Sequence, residues 1–429
     1  MLSSSFIVVL ILAEVLELFP LSARVEDGEL SLGGCRASEL AARHGTPLLV
    51  YCEETIRAQA RAYAEAAPGA LIVYGTKAFA NVALLRVLAE EGIGADVSTL
   101  GELAFAQAAG IAGDRILFHG NNKSDEELRA AADAGATVVL DAPDEPERAA
   151  AAGVHRVLVR LTPGVDAHTH RAIRTAHDES KFGMAPERAL AVISDAREHG
   201  LDVVGVHFHV GSQLARIDES LLAVQRLLEF VARAGEELGW RPALLDIGGG
   251  LGIRYTHEEQ LPDVREFVAP LVAALPEDVQ VVLEPGRSLV GRAGVTLYRV
   301  GAIKESGGVT YVAIDGGMSD NPRPQLYDAR YEALLANRAD ELADGVYRIA
   351  GKHCESGDVL IQAAELPRPR RSDLLAVPGT GAYTLAMGSN YNGVPRPPAV
   401  LVRAGSQRLI RKREELRDLL RHEADTLDS

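Results

Sequence analysis

What most constrains this chain is an alternation between residues 71 and 283. Short runs rich in Val, Ile and Leu take turns there with Ala-, Glu- and Arg-rich stretches of helical spacing. The apolar runs fall at 71–74, 94–97, 115–118, 137–140, 154–161, 203–208, 243–247 and 279–283, and helical patterns fill 81–91, 101–109, 125–134, 186–199 and 218–238. A strand covered on both faces reads as a continuous apolar run, and parallel neighbours need a crossover helix between them. Eight such strands are the count of a (β/α)8 barrel, an α/β fold. An open doubly wound sheet satisfies the same pattern, because periodicity does not show closure.

Past residue 290 the texture changes. Residues 295–302 and 309–314 are β-branched and close together, with Gly307-Gly308 as the hairpin turn between them. Further short strands are expected at 345–350, 358–361 and 399–402, then an amphipathic terminal helix over 410–425. At 429 residues two domains are the default. The expected division is a barrel over 36–290, with 1–35 and 291–429 forming a C-terminal antiparallel β-barrel or sandwich that takes in the N-terminal segment.

The net charge of -16 argues against a nucleic-acid backbone or an anionic membrane as partner, since both call for a basic face. Cys35, Cys52 and Cys354 are too few and too scattered for a disulfide framework or a zinc site, which points to a reducing compartment, the cytoplasm. Residues 6–13 (FIVVLILA) look like a signal-peptide core, but the first arginine is Arg24, and Glu14 and Glu17 stand where a cleavage site belongs. The run is also far short of the roughly 20 apolar residues of a membrane helix. It reads as a loosely docked leader or an over-extended start.

In a barrel, chemistry gathers at the C-terminal strand ends. Standing there are Lys77, Asp96, His119, Asp141, His209, Gly248 to Gly250 and Glu284. A lysine just past a strand is by itself an ordinary surface charge. The three glycines let backbone amides approach a phosphate without side-chain clash, though a plain tight turn explains them as well, and their spacing does not continue into a dinucleotide fingerprint. His207 and His209 share a face; such a pair opens some metal-dependent barrel hydrolases, and a histidine satisfied by hydrogen bonds is the plainer reading. Glu284 aims a carboxylate into the mouth and needs a partner. Were the ligand pyridoxal phosphate, Glu284 would keep the pyridine nitrogen protonated and Lys77 would be the Schiff-base lysine.

The motifs YGTKAF around Lys77, HFHVGSQ, DIGGGLG, EPGRS, DGGMSDNPRPQLYDA, GKHCESGD and GAYTLAMGSNYNG closely resemble those of the pyridoxal-phosphate-dependent decarboxylases with an alanine-racemase-like barrel. The likeness runs from about residue 19 to 402, and within the family it is to the branch acting on diaminopimelate. It implies that Lys77 carries the cofactor, that His209 stacks on its ring and that Glu284 holds its nitrogen. Ser212, Gly249, Gly250 and Tyr383 would bind the phosphate, with Asp96, Gly248, Gly286 and Arg287 also counted at the cofactor. In racemases of this fold an arginine faces the ring nitrogen, so Glu284 favours decarboxylation.

The implied substrate contacts are Arg287, Arg323, Tyr327, Glu355 and Tyr383. A substrate with an ammonium and a carboxylate at its far end needs both signs, which Glu355 and Arg323 supply. Cys354 would be the acid that reprotonates the carbanion, delivered across a homodimer interface. The resemblance calls for no metal. Gly75 and Phe79 stand where many relatives have alanine and asparagine, and the stretch before residue 19 has no counterpart. A decarboxylase for ornithine, lysine or arginine is the alternative within the family. A metal-dependent hydrolase and a non-enzymatic cofactor carrier are those outside it; such carriers lack the β domain expected after residue 290.

Overall fold

The computed structural model describes residues 14–162 and 180–423, so the leader at 6–13 lies outside the described residues. The chain divides into two compact units. One takes residues 57–252 and 261–289, and the other takes 1–56, 253–260 and 290–429.

The first unit is a closed barrel of parallel strands: β1 (Leu71–Gly75), β2 (Gly94–Val97), β3 (Ile116–Phe118), β4 (Thr137–Leu140), β5 (Arg156–Arg160), β6 (Asp202–His207), β7 (Leu244–Asp246) and β8 (Gln280–Leu283). Closure, which periodicity could not decide, is made by Val282 and Leu283 of β8 pairing with Leu71 and Ile72 of β1. Inside, Val73, Leu117, Val139, Leu158, Val204, Leu244 and Val282 form one apolar cluster. Each such side chain contributes about 1.5–3 kcal/mol by leaving water. Because side chains alternate along a strand, the residue two positions further on faces the same interior one layer higher. From Leu117 that residue is His119, from Val139 Asp141, from Leu158 Arg160, from Leu244 Asp246, and from Val282 Glu284. Val73 leads in the same way to Gly75, and Lys77 follows in the helical turn Thr76–Ala78 just beyond. On β6 the pairing with β5 shifts between Val203 and Gly205, an extra residue that re-aims the strand end.

The second unit carries a three-stranded sheet, Arg24–Glu26, Glu29–Leu32 and Cys35–Arg36, and a nine-stranded sheet. The large sheet is mixed and not antiparallel as expected: Val309–Ile314 pairs parallel with Gly345–Ala350, and Ala399–Arg403 parallel with Leu48–Cys52. Residues 36–56, expected in the barrel, pack with this unit because strand Leu48–Cys52 lies between Gly294–Ser306 and Ala399–Arg403. Alternation along Gly294–Ser306 sends Val295 and Leu297 into one apolar core and Tyr298 and Val300 into another. The expected hairpin forms, with Gly307 and Gly308 both at positive φ. The helix expected over 410–425 does not: Ser406–Arg411 is a strand paired with Ala399–Arg403, the helix is Leu416–Leu420, and 424–429 lie outside the described residues. No helix among the described residues is long and apolar enough to cross a membrane.

One buried pair in this unit sets a pH dependence. Asp320 accepts from the Tyr298 hydroxyl at 2.5 Å and from the Gly317 amide at 2.7 Å. Burial outweighs these hydrogen bonds and lifts its carboxyl to about 7. A folded value above the unfolded one, about 3.9, means that the unfolded chain binds fewer protons between them. Stability from this group is therefore full below about pH 4 and is lost as pH rises through about 7. Asp320→Asn should flatten that fall, measured as urea midpoints from pH 4 to 8.

Candidate active site

A cavity of about 390 Å³ at the barrel's C-terminal mouth is lined by Lys77, Asp96, His119, Arg160, His207, His209 and Glu284. The volume lies in the ordinary small-ligand range. Lys77 sits in the helical turn Thr76–Ala78 directly after β1. The turn is fastened by the Thr76 hydroxyl, which donates to the Asp96 carbonyl at 2.7 Å, and by the Gly75 amide, which donates to the Pro285 carbonyl at 3.1 Å. Ends of β1, β2 and β8 are thereby tied beneath the lysine, while Lys77 itself remains exposed.

The buried floor is a charge cluster centred on Glu284. Its Oε1 lies 2.6 Å from His119 Nε2 and its Oε2 lies 3.1 Å from His207 Nε2. The two imidazoles meet edge-on, with centroids 4.9 Å apart. Burial alone would raise the Glu284 carboxyl, but the two histidines outweigh it and hold it well below the usual range, so it is ionised. His119 is pulled down by burial and then raised, on balance, by Glu284 and Asp96. His207 is driven by burial to about 4 and is neutral. Asp246, fully buried, is pushed well above the usual carboxylate range by burial and by Glu284, and its Oδ1 accepts from the Gly248 amide at 2.9 Å. At neutral pH the cluster thus holds one firmly ionised carboxylate beside a neutral imidazole, with a second carboxyl whose ionisation burial opposes.

Near the mouth, His209 is depressed well below its ordinary value by burial, with Lys77 and Arg160 adding to the effect. Its neutral Nδ1 accepts from the Gly249 amide at 3.5 Å, leaving an uncharged ring beside Lys77. Arg160 pairs with Asp141 at 3.2 Å and lies 4.7 Å over the Phe182 ring. Asp141 also accepts from the Gly183 amide at 2.7 Å.

Of the glycines, Gly249 is demanded by packing before any ligand is considered: a Cβ there would stand 2.2 Å from the Glu284 carbonyl oxygen. Gly250, at φ +116, would meet the Gly211 oxygen at 2.7 Å. The run is therefore a tight turn packed against the backbone that follows β6 and β8. Arg287 donates to the Ser212 hydroxyl at 3.0 Å, close to the same loops.

The remaining expected residues lie on the other unit. Arg323 is buried and not a surface charge: its guanidinium lies 4.4 Å over the Tyr255 ring and donates to the Tyr331 hydroxyl at 2.6 Å. Tyr327 is exposed, and Tyr383 sits at φ +58, a backbone region rare for a bulky side chain. Cys354 and Glu355 are adjacent and exposed.

His119, Asp246 and Arg160 are functional neighbours that carried no role in the sequence. The signal was there, since each stands two residues past a core position on its strand. His119, His207, Asp246 and Glu284 bring ligand atoms within 4.8 Å of one another, which could also suit a cation, but the histidines already spend their Nε2 atoms on Glu284.

A barrel whose mouth sets an accessible lysine above an ionised carboxylate defines a class of enzyme that works through a carbonyl cofactor. A family model described as "Pyridoxal-dependent decarboxylase, pyridoxal binding domain" matches residues 53–291, and the chain belongs to that family. Within it, the chain is 45% identical over 421 residues to a diaminopimelate decarboxylase of Actinosynnema pretiosum subsp. auranticum, covering 95% of each sequence. It is 42% identical to that of Bacillus subtilis (strain 168), covering 93% of this chain and 96% of the relative. Among solved structures, a diaminopimelate decarboxylase from M. jannaschii in complex with L-lysine superposes with a TM-score of 0.88 at 34% identity, over 94% of this chain and 98% of that one.

The residues fit pyridoxal 5′-phosphate. Lys77, lining the same cavity as Glu284, offers the amine, and Glu284 is charged. A carboxylate has about four lone-pair sites, and the histidines take only two, so a ring N–H can be accepted as well.

Proposed function

We propose that this chain decarboxylates meso-2,6-diaminopimelate to L-lysine and carbon dioxide, the last step of lysine biosynthesis. The observation that carries the chemistry is Lys77 above an ionised Glu284 held by His119 and His207. When bound, pyridoxal 5′-phosphate supplies the electron sink for the pair left by departing carbon dioxide. Lys77 would hold the cofactor covalently through its amine. Glu284 would keep a proton on the ring nitrogen, and neutral His209 would stack on the ring without opposing that charge. Ser212, Gly249, Gly250 and Tyr383 bind the phosphate, with Asp96, Gly248, Gly286 and Arg287 beside them.

Arg323, stiffened between two tyrosines, takes the distal carboxylate, and Glu355 the distal ammonium; Arg287, Tyr327 and Tyr383 complete the substrate contacts. Cys354 returns the proton. Because Cys354 and Glu355 are exposed, they suit delivery to a neighbouring copy, and the reading is a cytoplasmic homodimer with shared active sites.

The test is carbon dioxide release from meso-diaminopimelate, L-ornithine, L-lysine and L-arginine with pyridoxal phosphate supplied. Diaminopimelate is expected to exceed each of the others by at least about 100-fold in kcat/KM, since the others leave the buried Arg323 charge without its carboxylate. Turnover of ornithine with none of diaminopimelate would reject the substrate.

A further inference from the structure

We infer that the turn Tyr391–Gly393 is a clamp that positions Cys354 and Glu355; the inference rests on the roles just given to those two residues. Both are exposed, so packing does not place them. Contacts from adjacent residues of the turn do. The Cys354 amide donates to Asn392 Oδ1 at 2.9 Å, and the Tyr391 hydroxyl reaches Glu355 Oε2 at 3.4 Å. Tyr391 is itself steadied by the His353 ring, whose centroid lies 5.8 Å away at 22°. His353 is buried and pinned by Asp358, which accepts from its Nδ1 at 2.7 Å and from its amide at 3.0 Å.

Asn392 adopts φ 54 and ψ 24, the left-handed region that asparagine tolerates and most residues resist. That conformation is held from behind. Asn390 donates to Glu414 at 2.7 Å, and Glu414 also accepts from the Arg396 amide at 2.9 Å. Turn and loop share one foundation: the Ser389 amide donates to the Ser319 carbonyl at 2.8 Å, and the Met318 amide to Asp358 Oδ1 at 2.8 Å. A single residue step, Tyr391 to Asn392, therefore fixes the spacing between the Glu355 carboxylate and the Cys354 backbone that carries the thiol. Asn392 and Tyr391 are positioning residues: Asn392 acts through Cys354 and Tyr391 through Glu355.

The test compares Asn392→Ala, Asn392→Gly, Asn392→Asp and Tyr391→Phe. Cys35 and Cys52 are buried while Cys354 is exposed, so iodoacetamide uptake by the folded protein, mapped by peptide mass, reports Cys354. Losing the tether should raise its alkylation rate about fivefold in the Ala and Gly variants, the weight of one hydrogen bond, and lower kcat for diaminopimelate by on the order of tenfold or more with little change in KM. The Asp variant keeps an acceptor and tolerates the backbone, so it should restore both readouts. Tyr391→Phe should raise KM and leave kcat. Wild-type alkylation and kcat in Asn392→Ala, or an Asp variant no better than Ala, would overturn the clamp. A wild-type protein inert toward diaminopimelate would instead remove the proposed substrate, leaving the alkylation rates to decide the clamp.

Discussion

Lys77→Ala should abolish turnover, with kcat falling by at least about 10⁴-fold, the scale set by losing a covalently held reactant. The side chain is exposed and lies outside the apolar cluster, so the folded state should lose little stability, and an unchanged thermal melt separates chemistry from unfolding. Borohydride reduction of the wild-type protein should fix the cofactor on the peptide containing residue 77. Cofactor recovered on any other lysine would refute the assignment. Lys123 is the instructive contrast. It is fully buried, paired with Glu145 at 2.9 Å and donating to the carbonyls of Gly120 and Val139, so its amine is committed to holding two strand ends together.

Glu284→Gln carries the second large effect. The variant keeps the shape and loses the charge, so a ring nitrogen above it would no longer hold its proton, and kcat should fall by on the order of 10²–10³-fold, the usual weight of a preorganised electrostatic partner. The same substitution has a readout free of turnover. His119 is raised because Glu284 and Asp96 outweigh its burial. With Glu284 neutral, only Asp96 remains, at 3.7 Å. The His119 titration followed by NMR should therefore move down. The sign for stability follows: a histidine raised on folding contributes fully below its unfolded value of about 6.5 and loses that contribution as pH climbs through the raised value. Glu284→Gln should flatten the decline above about pH 6.5. An unmoved His119 titration would show that the carboxylate does not govern the cluster.

The barrel was legible because its strands are covered on both faces and read as unbroken apolar runs; all eight fall within about two residues of the expected limits. Most of the mouth was legible for a related reason, since a polar residue closing such a run has nowhere to point but inward or out. Arg160 was not, because it stands in VLVRL, within a run that reads as strand to residue 161. The hydrogen bonds of His119 and His207 to Glu284 join β3, β6 and β8, which are not neighbours in the sheet, so only closure brings them together. In the other unit, Leu48–Cys52 is a short apolar run whose partners lie some 250 and 350 residues further along, a pairing that no local pattern reveals. Strand Ser406–Arg411 was missed, and its last two residues were taken into the expected helix, because its charges mask an edge strand's alternation, although Ala404 and Gly405, both at positive φ, mark the hairpin that makes it one.

The two units are interleaved along the chain: the sheet unit is built from three separate stretches and the barrel unit from two. Neither can be excised as a contiguous piece. A gene fragment beginning at residue 53, where the match to the binding-domain model starts, would lack strand Leu48–Cys52 and leave Gly294–Ser306 and Ala399–Arg403 with unpaired edges in mid-sheet. Replacing the sheet unit thus means replacing three stretches in register, and recombination between relatives should succeed at crossovers within the barrel's surface loops more often than at the apparent domain border.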